Sequence, residues 1–153
     1  MIEYKLEHIF SYNVTVTTPE VIGTVHNGIR LIFYLTGGTV NGPKLSGRIR
    51  PVGADWLIVR SDGIGTVDVR ATIETDDEAL IYVTYGGVLD LGENGYQNIL
   101  EGKMPPSGTA IRTAPRFETA HPNYRWLNRL QCVGIGQAFV ERNEVMYDVY
   151  GVL

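Results

Sequence analysis

The chain has 153 residues, a net charge of −4 and a pI near 5.3, and its acids are interspersed with the arginines, so no basic stripe exists to neutralise a phosphate backbone. Hydrophobic residues make up 44% and charged residues 20%, which excludes a disordered chain and leaves enough apolar surface for one packed domain spanning residues 1–153. Nucleic acid is therefore not expected as a partner.

The opening residues carry Glu3 and Glu7 where a signal peptide would be apolar, and no apolar run approaches membrane-spanning length. Cys132 is the single cysteine and has no internal disulfide partner, which fits a reducing compartment. A cytoplasmic protein with no membrane partner is the expectation.

From residue 3 to 17 the chain alternates, with Tyr4, Leu6, His8, Phe10, Tyr12, Val14 and Val16 on one face, and this period of two predicts a strand or a bent strand. Pro19 ends it, residues 21–26 read as a short strand, and Asn27-Gly28 is a hairpin signal leading into Ile29 to Thr36. Gly37-Gly38, Asn41-Gly42-Pro43 and Val52-Gly53 punctuate short segments at 45–50 and 56–60. A long alternating strand at 66–75, a turn at Asp76-Asp77-Glu78 and a strand at 80–85 follow. Residues 86–109 break the rhythm as a Gly- and Pro-rich connection, a lid or an excursion, with room for one helical turn at most. Ile111 to Glu118, Trp126 to Glu141 and Val145 to Val152 read as the last strands.

The succession predicts an all-β antiparallel meander of roughly nine or ten strands closed into a barrel, lipocalin- or streptavidin-like in appearance. Closure removes exposed edges, and connections this short leave no room for crossover helices. Strand 29–35 is apolar on both faces, which suits a lumen holding a small ligand or an outer face joining a homodimer.

Chemistry is sparsely signalled. His8, His26 and His121 lack ligand spacing, so no metal or other cofactor is expected. Cys132, on an apolar strand, reads as a buried inert thiol, and Gly63-Ile64-Gly65 and Gly134-Ile135-Gly136 read as strand bulges. Asp55 starts one strand, and Asp68 and Arg70 share a face of another. If that face points inward, Arg70 needs an acid or a ligand anion, and if it points outward these are solvated charges. Tyr12, Tyr34, Tyr82, Tyr85, Tyr124 and Trp126 offer the apolar bodies and polar tips that line pockets.

Gly37-Gly38, Gly42-Pro43, Gly47, the run Pro51-Val52-Gly53-Ala54-Asp55-Trp56, Asp68-Val69-Arg70 and Tyr124-Arg125-Trp126-Leu127-Asn128 together resemble domain of unknown function 3237, over essentially the whole chain. The resemblance implies a small single-domain β-barrel without a settled activity, and a shared site at Asp55, Trp56, Arg70, Tyr124, Trp126 and Asn128. Asp77-Glu78 departs from the Asp-Gly of that family.

Three functional readings follow. In the first, the lumen binds a small organic acid or oxygenated aromatic, with Arg70 anchoring an anion, Trp56 and Trp126 covering the apolar part, and Tyr124 and Asn128 orienting polar groups. In the second, a cofactor-independent isomerase, lyase or hydrolase uses Asp55 as general base and Tyr124 as oxyanion donor. A homodimeric interaction module is a third.

Overall fold

A computed structural model describes residues 1–153. It contains eleven strands: β1 (Leu6–Val16), β2 (Glu20–Val25), β3 (Gly28–Asn41), β4 (Gly47–Ile49), β5 (Ala54–Val59), β6 (Ile64–Thr75), β7 (Leu80–Asp90), β8 (Thr109–Thr113), β9 (Arg116–Glu118), β10 (Gln131–Phe139) and β11 (Glu144–Val152). Eight of these close a barrel in chain order, β1-β3-β5-β6-β7-β8-β10-β11, with β11 returning to pair antiparallel with β1. The remaining three are half-strands. β2 and β5 flank the first half of β3, β1 and β4 flank its second half, and β9 extends β8 alongside β7. Pro115, which has no N–H to give to the ladder, divides β8 from β9. The meander is thus an up-and-down barrel, and the count exceeds the expected nine or ten because bends split strands.

Alternation sets the lumen. Phe10, Tyr12 and Val14 of β1, Val67, Val69, Ala71 and Ile73 of β6, and Tyr147 and Val149 of β11 are buried, with charged or polar residues between them outside. A bulge between His8 and Phe10 inverts the phase at the start of β1. Ile9 goes inside, whereas His8, Leu6 and Tyr4 stand outside, contrary to the uniform face expected of them. The Gly134-Ile135-Gly136 run is no bulge either, since β10 pairs with β11 in unbroken register.

The two ends differ. Residues 125–130 are not strand but a 3-10 turn, Arg125–Arg129, whose Leu127 is fully buried, and together with Tyr124 it stops one end. At the other end, β7 runs on to Asp90, past the expected end at Tyr85. The connection then forms one short helix, α1 (Gly95–Leu100), whose Tyr96 and Ile99 pack on the core. No helix is long and apolar enough to cross a membrane.

Candidate functional site

The lumen keeps a cavity toward the α1 end, with about 60 Å³ open to the centre of a water-sized sphere. Most of its wall is apolar, from residues such as Val16, Phe33, Leu35, Leu89 and Ile111, and the polar groups in the wall are few. Asp55, Tyr85 and Tyr147 converge from β5, β7 and β11, and Asn143 and Glu144 stand at the β10–β11 turn.

Register explains the convergence. Asp55 pairs with Phe33 on one side and Val69 on the other, and Val69 pairs with Tyr85, so these four residues form one inward row. Tyr12 pairs with Tyr147, which pairs with Gly136, which pairs with Ile111, forming a second row. Gly136 supplies the space for the tyrosine, since a Cβ there would meet Tyr147 Cδ1 at 2.6 Å. The Tyr12 and Tyr147 rings stack at 4.7 Å, and Tyr85 meets Tyr147 edge-on at 5.6 Å.

Asp55 is only partly exposed. Its Oδ1 accepts the amide of Asp68 at 3.0 Å, at a point where the β5–β6 pairing skips Trp56 and Leu57. Burial pushes its carboxyl up to about 6; the Asp68 amide and the Arg30 charge pull it down, and the charge of Asp68 pushes it further up. Burial also raises the tyrosines, Tyr85 to about 12 and Tyr12 and Tyr147 well above their usual range, and the charge of Asp55 adds to this for Tyr85 and Tyr147. Both stay neutral hydroxyl donors near pH 7. The Tyr12 hydroxyl is buried without a hydrogen-bond partner. A carboxyl that titrates near 6, beside neutral hydroxyls in an apolar cavity, can deliver or accept a proton and steady a substrate oxygen.

The six residues expected to share a site divide among three places. Asp55 alone faces the lumen. Trp56 and Arg70 lie outside the barrel, the Arg70 guanidinium 5.6 Å from the Trp56 ring and 4.0 Å from Asp68, so the face of β6 bearing Arg70 is the solvated one. Tyr124, Trp126 and Asn128 build the stopper at the far end. The Tyr124 hydroxyl donates to Asp77 Oδ1 at 2.7 Å, the Trp126 indole N–H donates to the Asn123 carbonyl at 3.0 Å, and Asn128 accepts from the Thr119 amide at 2.9 Å. Hydrogen bonds from Thr75 and Tyr124 hold Asp77 down at about 2. These hydrogen bonds fasten the turn to the β6–β7 connection and to the end of β9, away from the lumen cavity.

Among the tyrosines singled out, Tyr12 and Tyr85 face inward, whereas Tyr34 and Tyr82 are exposed. Tyr147 and Glu144 match no site motif in the sequence, and the only signal for Tyr147 is that Val145, Tyr147 and Val149 alternate as an inward face does. The Cys132 thiol is buried, and burial pushes it up to about 11. His8, Ser11 and Asp148 do meet on the outer wall, but Ser11 Oγ donates to Asp148 at 2.5 Å, leaving His8 no serine proton to take.

Similarity to known proteins follows the whole barrel. A UPF0311 protein of Rhodopseudomonas palustris is 34% identical over 150 residues, covering 97% of each chain. The crystal structure of a protein of unknown function from Clostridium acetobutylicum superposes with a TM-score of 0.88 at 29% identity, covering 99% of this chain and all of that one. A β-barrel-like protein from Acinetobacter baumannii gives 0.85 at 34% identity, over 100% of this chain and 98% of that chain. A hydroalkoxylation enzyme of Penicillium herquei is 27% identical over 144 residues, 94% of this chain and 81% of that enzyme. The family model for proteins of unknown function DUF3237 matches residues 4–152, and the chain belongs to that family.

Proposed function

We propose that the lumen binds a small, largely apolar oxygenated molecule and that Asp55 moves a proton on it. Tyr85 and Tyr147 hold the substrate oxygen. The observation that carries this reading is the carboxyl of Asp55 in an apolar cavity, raised to about 6 by burial and facing two tyrosines that remain protonated.

The reading departs from the expectation in two respects. The anion anchor Arg70 and the covering Trp56 and Trp126 are outside the lumen, and the oxyanion role assigned to Tyr124 passes to Tyr85 and Tyr147. Asp55, expected as a general base, is kept in this reading and acts here as both proton donor and acceptor. The Penicillium herquei relative is named for hydroalkoxylation, in which an O–H adds across a C=C bond. One proton is delivered to carbon while another leaves the attacking hydroxyl, so a single carboxyl can give the first and recover the second. No oxidant or reductant is needed. Both the addition and the simpler keto–enol exchange fall within what Asp55 and the tyrosines can do.

The test is proton exchange. Enolisable aryl ketones and alkenyl phenols are incubated with the protein in D₂O, and deuterium entry at carbon is followed by NMR. Enzyme-dependent exchange with a titration near pH 6, lowered roughly 100-fold or more in Asp55→Asn, is expected. Exchange that persists at the same rate in Asp55→Asn refutes the assignment.

A further inference from the structure

The ionisable groups in the lumen wall other than tyrosine are Asp55 and Glu144, and both are acids. No lysine, arginine or histidine lines the cavity. The cations near these acids stand behind the wall. Arg30 spends its guanidinium on the Trp56 carbonyl at 2.7 Å. Arg142 lies 3.6 Å from Glu144, with its guanidinium 4.1 Å from the Phe139 ring, and its side chain is half exposed at the rim. Glu144 is the more sheltered of that pair, with 21% of its side chain accessible against 51% for Arg142. An entering ligand therefore meets apolar wall, two hydroxyl donors and two carboxylates.

From this lining we infer that the lumen selects by charge, admitting neutral phenol- or enol-type molecules and rejecting carboxylates and phosphates, with Glu144 as a specificity-determining residue at the mouth. The inference rests on the lumen being the binding site proposed above. It removes one half of the organic acid or oxygenated aromatic expected of the ligand. The physical reason is that an anion would leave water for a place where like charge is close, no cation lines the wall, and low dielectric strengthens the repulsion. A phenol or enol loses much less on leaving water, and its oxygen finds the tyrosine hydroxyls. Arg142 blunts the charge of Glu144 from outside, so the two side chains have opposite effects on the filter.

The experiment compares phenol, benzoate and benzylammonium at pH 7.5, titrated into isotopically labelled protein and followed by amide chemical shifts. Phenol is expected to shift lumen amides, those of Asp55, Tyr85 and Tyr147, with benzoate weaker by roughly ten-fold or more. The benzoate-to-phenol ratio of dissociation constants is expected to fall at least about three-fold in Glu144→Gln and to rise in Arg142→Ala. Benzoate shifting the same amides as tightly as phenol overturns charge selection and leaves the lumen site standing. A ratio that does not move in either variant overturns the assignment to Glu144. If none of the three compounds shifts a lumen amide, the binding site itself is refuted and the selection falls with it.

Discussion

Replacing Asp55 by Asn ought to make the protein more stable at neutral pH while disabling it. The folded carboxyl titrates at about 6 and its unfolded counterpart near the ordinary aspartate value of 3.8. Below about pH 4 both states hold the proton and the residue costs nothing. Between about pH 4 and 6 the folded state binds the extra proton, so stability falls as pH rises, and above pH 6 the full penalty of a desolvated carboxylate remains. The gap of about two pH units corresponds to about 3 kcal/mol, and partial exposure reduces this to about 2 kcal/mol. Asparagine keeps the oxygen that accepts the Asp68 amide and removes the charge. Thermal unfolding of both proteins from pH 4 to 8 is the assay. Equal midpoints are expected near pH 4, and the variant should melt about 4–8 °C higher at pH 7.5. A variant that is less stable at pH 7.5, or equally stabilised at both ends, would refute the claim that burial raises Asp55.

Glu78 has a φ of 69°, in the left-handed region that favours glycine. Glu78→Gly should stabilise by about 0.5–1 kcal/mol, read from urea midpoints with an unchanged slope. Gly136→Ala would drive a methyl into Tyr147 Cδ1 at 2.6 Å and the Met146 carbonyl at 2.7 Å, and should cost about 1–3 kcal/mol in chemical denaturation. The same variant should shift the aromatic resonances of Tyr147 and Tyr12. Arg70→Ala removes a guanidinium lying outside the barrel over Trp56, and should change stability by no more than about 0.5 kcal/mol while leaving phenol titrations of the lumen unaltered. A loss of lumen binding in Arg70→Ala would restore that residue to the site.

Much of the barrel was legible as local pattern. The alternation in β6 and the second half of β1, the Asn27-Gly28 hairpin, and the short connections dictate antiparallel neighbours in chain order, because each depends on residues close together in sequence. The stopper was not legible in this way, since a 3-10 turn holding Trp126 and Leu127 carries the same apolar residues as a strand, and only packing against the barrel end distinguishes them. Alternation also leaves the phase open, since a period of two assigns two faces without saying which is inside. A bulge between His8 and Phe10 inverted one strand, and the burial of Val67, Val69 and Ala71 turned Arg70 outward. The site depended on more distant relations still. Asp55, Tyr85 and Tyr147 lie on three strands, and they meet because cross-strand register and barrel closure bring β5, β7 and β11 around one cavity. Local periodicity and turn chemistry were enough for the all-β class, the antiparallel order of most neighbours and the barrel, though not for every strand boundary. Which side chains face the lumen together, and hence the raised carboxyl of Asp55, was decided by tertiary structure alone, because burial and proximity belong to the closed barrel and to no stretch of the chain.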